Sequence, residues 1–218
     1  MKRRTLVLST AFAAGAIFAG GAALYEGRTD EAIPAAPATA DTLVRMHSPI
    51  IGPASAPVTN VEFFDPSCEA CRAFYPLVKQ MMAQTGDGVR LVLRYTPLHE
   101  GSDEAVRILE AAREQNLFEP VLEALLAMQP SWAVHGSPDL EKAWQIAAAA
   151  GLDVAQARQD AVLPAVDSVL TQDVTDVKAN NIRDTPTFFV NGKPLTEFGP
   201  QGLYSLVASE LEAAKAGF

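Results

Sequence analysis

The chain holds two cysteines, and they stand as Cys68-Glu69-Ala70-Cys71. Thiols two residues apart can close into a disulfide and reopen, bridge structurally, or ligate a metal. A structural bridge is common in exported proteins, but closing so short a loop removes little unfolded-chain entropy and adds little stability. A zinc site takes four protein ligands in structural use or three in catalytic use, and His47, His99 and His135 are far apart in the sequence and unpaired. Thiol-disulfide exchange fits best. The pair follows a strand-like run and opens a helix-like one, where free N–H groups and the positive end of the helix dipole favour a thiolate. Cys68 is expected to be the exposed, attacking thiol and Cys71, one turn further in, the resolving thiol. No cofactor beyond this dithiol and no metal is expected.

Charge around the pair sets its strength as an oxidant. A carboxylate beside Cys68 disfavours a second negative charge, so Glu69 is expected to oppose the thiolate and hold the couple below the most oxidising values, at roughly −150 to −230 mV. Glu62 is a carboxylate inside an apolar run, which is costly when buried without a partner; a solvated edge position is the alternative. His99, after Pro97-Leu98, either borders the site or lies in a solvated loop. Trp132 and Trp144 read as core residues. Pro76 should kink or break its helix.

Several elements must hold these residues in place. Val58 to Phe64 is a short β-prone run between Pro57 and Asp65-Pro66, read as a central strand. Helical spacing follows from Cys68 to about Thr85 and ends at Gly86-Asp87-Gly88. Val89 to Tyr95 alternates as a second strand. From Ser102 to about Asn180 the chain is helical, with Ser137-Pro138-Asp139 as a helix start and Gly151 as its stop. Thr187 to Val190 is a strand, Asn191-Gly192 a hairpin turn leading to a short strand around Pro194 and Leu195, and Gly199-Pro200 opens a last helix carrying Leu203, Leu206, Val207 and Leu211 on one face. This order gives an α/β fold, a small mixed sheet with helices packed on it and a helical insertion between its halves.

Lys2, Arg3 and Arg4 precede an uncharged run from Leu6 to Leu24, the pattern of an export signal that is also near the length of a membrane anchor. Residues 1–25 are therefore expected to be a signal peptide or anchor, 26–47 a flexible linker rich in Ala, Pro and Thr, and 48–218 the folded domain, outside the inner membrane. A length of 218 residues with 49% hydrophobic content supports one sizeable core. The net charge of −9 argues against nucleic-acid partners, which require a concentrated positive patch.

The segment Val61-Glu62-Phe63-Phe64-Asp65-Pro66-Ser67-Cys68-Glu69-Ala70-Cys71 resembles the active-site segment of the thioredoxin superfamily, more closely its DsbA-like branch. Ile51-Gly52-Pro53 with Ala56-Pro57-Val58 is similar to that branch's lead-in, and Asp184-Thr185-Pro186-Thr187-Phe188-Phe189-Val190-Asn191-Gly192 to its cis-proline segment. The resemblance spans roughly Ser48 to the C-terminus. It implies a thioredoxin-like fold with the insertion at about 101–180, a cis Pro186, Thr185 facing the cysteine pair to bind peptide, and Glu62 as a buried acid serving the resolving thiol. It also implies exchange with the thiols and disulfides of exported proteins, in the periplasm, with a membrane redox partner. No extra dimerisation segment is seen before Ser48, so a monomer is expected. The sequence departs from strongly oxidising members, which carry a His between the cysteines. A Cu(I)-binding metallochaperone on the same fold is the alternative function.

Overall fold

β-branched and aromatic side chains dominate the two longest strands, and both are buried on their two faces. In the computed structural model, which describes residues 40–216, these are β2 (Val58–Phe64) and β3 (Val89–Tyr95), paired in parallel from Val58 opposite Val89 to Phe64 opposite Tyr95. A five-stranded sheet forms around them in the order β1-β3-β2-β4-β5, adding β1 (Ile50–Ile51), β4 (Thr187–Val190) and β5 (Lys193–Pro194). β4 runs antiparallel to β2, with Glu62 opposite Phe188. Asn191 and Gly192 join β4 to β5 with φ of 48° and 83°, the left-handed geometry that favours these two residue types in a two-residue hairpin.

Strand alternation divides the side chains between two cores. Val58, Phe64, Leu91, Leu93, Phe188 and Val190 face the larger one, which also contains Cys68 and Cys71. α2 (Glu69–Thr85), α9 (Pro200–Ala216) and the insertion helices α3 (Ser102–Glu114), α4 (Phe118–Ala127), α5 (Gln129–Trp132), α6 (Leu140–Ala149) and α7 (Val154–Asp160) contribute to it. Val61, Phe63, Val92 and Phe189 face the opposite side, where α1 (Ala40–Leu43) supplies Leu43 and α8 (Pro164–Ala179) supplies Val177. Both faces are covered, so the polar residues Asn60 and Glu62 of β2 and Arg94 of β3 are buried along with the apolar ones.

The second face is also held by charge. Arg94, fully buried, donates to Asp173 and Asp176 of α8 and to the carbonyls of Thr42 and Leu43. Asp173 also accepts from the Tyr95 N–H at 2.7 Å and pairs with His47. Residues 40–47, expected to end the linker, thus belong to the folded body: Leu43 is buried in its second core, and Arg45 pairs with Asp176 at 2.7 Å. Two adjacent apolar side chains, Leu43 and the partly buried Val44, and a few polar ones carry this docking, too little to give a recognisable period.

Other expectations shift in detail. The cap of α6 is Asp139, whose carboxylate accepts from the Lys142 N–H at 2.9 Å, so Ser137 and Pro138 precede the helix. α2 continues through Pro76 without a break, carried by the buried Phe74, Tyr75, Val78 and Met81 on either side of it. Trp132 and Trp144 are core residues, their indole N–H groups donating to Leu125 O and Glu104. The described residues, 40–216, lie within one compact unit of the chain. The expected signal or anchor lies outside the described residues, and among the described residues no helix is long and apolar enough to cross a membrane.

Candidate active site

Cys68 is the N-cap residue of α2, with extended backbone angles of −78° and 123°. Its carbonyl accepts the first helical bond, from Arg72 N–H at 3.1 Å. No side-chain oxygen caps the helix, so its first N–H groups are free to face the sulfur. Cys71 lies one turn on and is fully buried. Cys68, expected to be exposed, is only 6% exposed, because the loop before the cis-proline covers it: Cys68 Sγ lies 3.1 Å from the Thr185 carbonyl. The Thr185–Pro186 bond is cis. Two segments 117 residues apart thus meet at one sulfur.

The two thiols differ sharply in acidity. The Cys68 pKa is lowered to about 5, first by the hydrogen bond from the Cys71 side chain, against the opposing effect of burial, and then by the Thr185 side chain and the N–H groups of Cys71 and Ala70. Burial pushes the Cys71 thiol far upward, and Cys68 and the negative charge of Glu62 push it further. An ionised outer sulfur beside a protonated inner one is the division of labour that two-step exchange requires.

Glu62 lies on the face of β2 that carries Phe64 and is fully buried, and neither carboxylate oxygen has a hydrogen-bond partner. Desolvation, aided by the charge on Cys68, raises its pKa to about 8. The solvated edge position is thereby excluded. The acid is held near neutrality within electrostatic reach of both cysteines, the state suited to moving one proton.

Two residues that the sequence did not single out build the loop. Asp65, fully buried, accepts from the N–H groups of Ser67, Leu98 and His99, from His99 Nδ1 at 2.7 Å and from the Ser102 hydroxyl. It ties the loop before Cys68 to the loop after β3. Gln129, at the start of α5, donates to the carbonyls of Pro66 and Cys68 at 2.8 and 3.0 Å and accepts from Arg72. Asp65 sits in the recognisable active-site segment, whereas a lone Gln far along the insertion carries no sequence signal.

The histidines also differ from expectation. His99 and His135, 36 positions apart, stack with ring centroids 5.2 Å apart, and His135 Nε2 lies 3.2 Å from Glu69 Oε1. His99 is not a freely solvated loop residue. Burial lowers its pKa, but the hydrogen bond and charge of Asp65, with the charges of Cys68 and Glu69, outweigh this and raise it. Glu69, expected to oppose the Cys68 thiolate, is paired with His135, and its own pKa is lowered by its backbone N–H, helped by the charges of His135 and His99.

A family model described as thioredoxin matches residues 45–207. A thioredoxin-like oxidoreductase from Silicibacter pomeroyi DSS-3 has 30% sequence identity, covering 82% of this chain and 99% of its own, with a TM-score of 0.69. The solved structure of Wolbachia pipientis alpha-DsbA1, 18% identical, covers 80% of this chain and 96% of its own at a TM-score of 0.69. A curated relative named Na(+)/H(+) antiporter NhaA from Herminiimonas arsenicoxydans is 34% identical over 172 residues, which is 77% of this chain and 26% of that protein. The chain spans about a quarter of the length of the curated relatives of this kind.

Proposed function

The chain belongs to the thioredoxin family, with the fold of its DsbA-like oxidoreductases, and we propose that it exchanges disulfides with the cysteines of exported proteins through Cys68 and Cys71. The observation that carries this is the meeting of Cys68 Sγ with the Thr185 carbonyl at 3.1 Å, at the N-terminus of α2 and beside a cis Pro186.

In the reducing direction the Cys68 thiolate attacks a client disulfide, forming a mixed disulfide and releasing one client thiolate. Cys71 then gives up its proton and attacks Cys68 Sγ, releasing the second client thiolate and leaving a Cys68–Cys71 disulfide; client oxidation is the reverse. Glu62, fully buried, takes the Cys71 proton or returns it. Thr185 and Pro186 offer the edge against which a client strand lies, and the exposed Leu98 and Val134 add apolar surface nearby. The exchange uses no cofactor beyond the dithiol. The basic N-terminus followed by an uncharged run supports a reaction in the periplasm, where a membrane redox partner would reset a monomeric enzyme.

Turnover of insulin disulfides, with Cys71→Ser accumulating mixed disulfides that Cys68→Ser does not form, is the supporting result. Stoichiometric Cu(I) binding by the reduced dithiol without any exchange would favour the metallochaperone instead.

A further inference from the structure

Disulfide exchange leaves unused a second group of side chains on the rim of the site. Glu69 from the first turn of α2, His99 from the loop between β3 and α3, and His135 from the loop between α5 and α6 each bring a ligand atom within 4.8 Å of the others. Beside them is a pocket of ≈ 190 Å³, lined by Ser67, His99, Glu100, Val134 and His135 among others. Ser67 in its wall is 2% exposed, and its hydroxyl is buried with no hydrogen-bond partner.

Control of the imidazole tautomer separates this group from a chance ion pair. His99 Nδ1 lies 2.7 Å from an oxygen of Asp65, which is fully buried and ionically suited to accept its N–H. That bond leaves Nε2 of the neutral ring as a lone pair, and a carboxylate behind an imidazole is the support that orients histidine ligands in metal sites. Two imidazoles and a carboxylate suit a borderline divalent cation, and three protein ligands leave its fourth position to solvent. A tetrahedron with bonds of ~2.1 Å sets ligand atoms about 3.4 Å apart. The side chains of His135 and Glu69 are 60% and 58% exposed, so they are unhindered in closing the remaining gap.

We infer that Glu69, His99 and His135 form a binding site for a zinc-like divalent cation at the rim of the dithiol site. The proposal stands independently of the exchange reaction. Its test uses the full chain without a histidine tag, in the disulfide form so that neither thiol can ligate, titrated with Zn(II) against a chromogenic chelator. One Zn(II) per chain is expected, with affinity falling at least tenfold in His135→Ala and in Glu69→Gln. His47→Ala removes the chain's one other histidine, which is paired with Asp173 elsewhere, and should leave binding intact. Absence of zinc binding by the disulfide form, an unchanged affinity in His135→Ala, or loss of binding in His47→Ala would each overturn the assignment. Because His135 is an exposed loop residue, the decisive variant should fold like the parent, which circular dichroism checks.

Discussion

At the scale of single residues, the chemistry depends on pKa values set apart by environment. With its pKa lowered to about 5, Cys68 should be the thiol alkylated by iodoacetamide in the reduced protein, at a rate rising between pH 4 and 6 and level above pH 7. Labelling that mapped to Cys71, or a midpoint near the ordinary thiol value of about 8.5, would contradict the site. This acidity lies between those of thioredoxin and DsbA, about 7 and 3.5. A potential of roughly −150 to −230 mV in glutathione buffers is therefore expected. Glu62 runs the other way. Its folded pKa of about 8 exceeds its unfolded value, so the native state holds the proton more tightly and wild-type stability falls as pH rises from about 4.5 to 8. Glu62→Gln keeps a neutral amide there; it should flatten that slope, gain about 2–4 kcal/mol over wild type at pH 8, and slow the resolving step. Parallel stability–pH curves for the two proteins would show that Glu62 is not held in this state.

At the scale of elements, the insertion is a clamp on the active-site loop as well as a cover for the core. Gln129 satisfies the carbonyls on both sides of Ser67 and is itself held by Arg72. Truncation leaves the Pro66 carbonyl without this partner, at a cost of about 1–3 kcal/mol, while the Cys68 carbonyl keeps the Arg72 N–H. Gln129→Ala should lower stability by about that amount in denaturant titration. It should also slow Cys68 attack at saturating pH, since the loop that sets the sulfur against Thr185 is loosened. A stability loss with unchanged single-turnover exchange would restrict Gln129 to structural support. Gly101 shows how closely the same loops pack: it caps α3 with φ of 77°, and a Cβ there would meet Leu140 Cδ2 at 2.8 Å. The left-handed backbone favours glycine there, and any larger residue would also require the Leu140 and Pro138 side chains to give way.

At the scale of the whole molecule, the two faces of the sheet have different duties. The dithiol, Glu62 and the insertion lie on one, while on the other Arg94, Asp173 and Asp176 bind β3, α8 and the chain around Leu43 together. Breaking one member of a buried charge network strands the rest, at a cost of about 3–5 kcal/mol. Asp173→Ala should therefore destabilise the protein by that amount and expose the segment 40–47 to proteolysis, while the alkylation midpoint of Cys68 stays where it was. A shifted midpoint would mean that the two faces are coupled.

The sequence by itself determined the order of elements, the strand carrying Glu62, the helix opened by Cys68, and the pairing of the cysteine and Thr185-Pro186 segments through family likeness. These are local: side-chain periodicity, turn chemistry and short motifs act over a few residues, so they can be read along the chain. Tertiary structure decided what depends on approach between distant segments. It buried Cys68 beneath Thr185, left the Glu62 carboxylate without a partner, stacked His99 on His135 beside Glu69, put Gln129 on the active-site loop, and drew residues 40–47 into the fold. Desolvation and hydrogen bonding arise from everything that surrounds a group, and most of what surrounds these groups comes from elements tens of residues away.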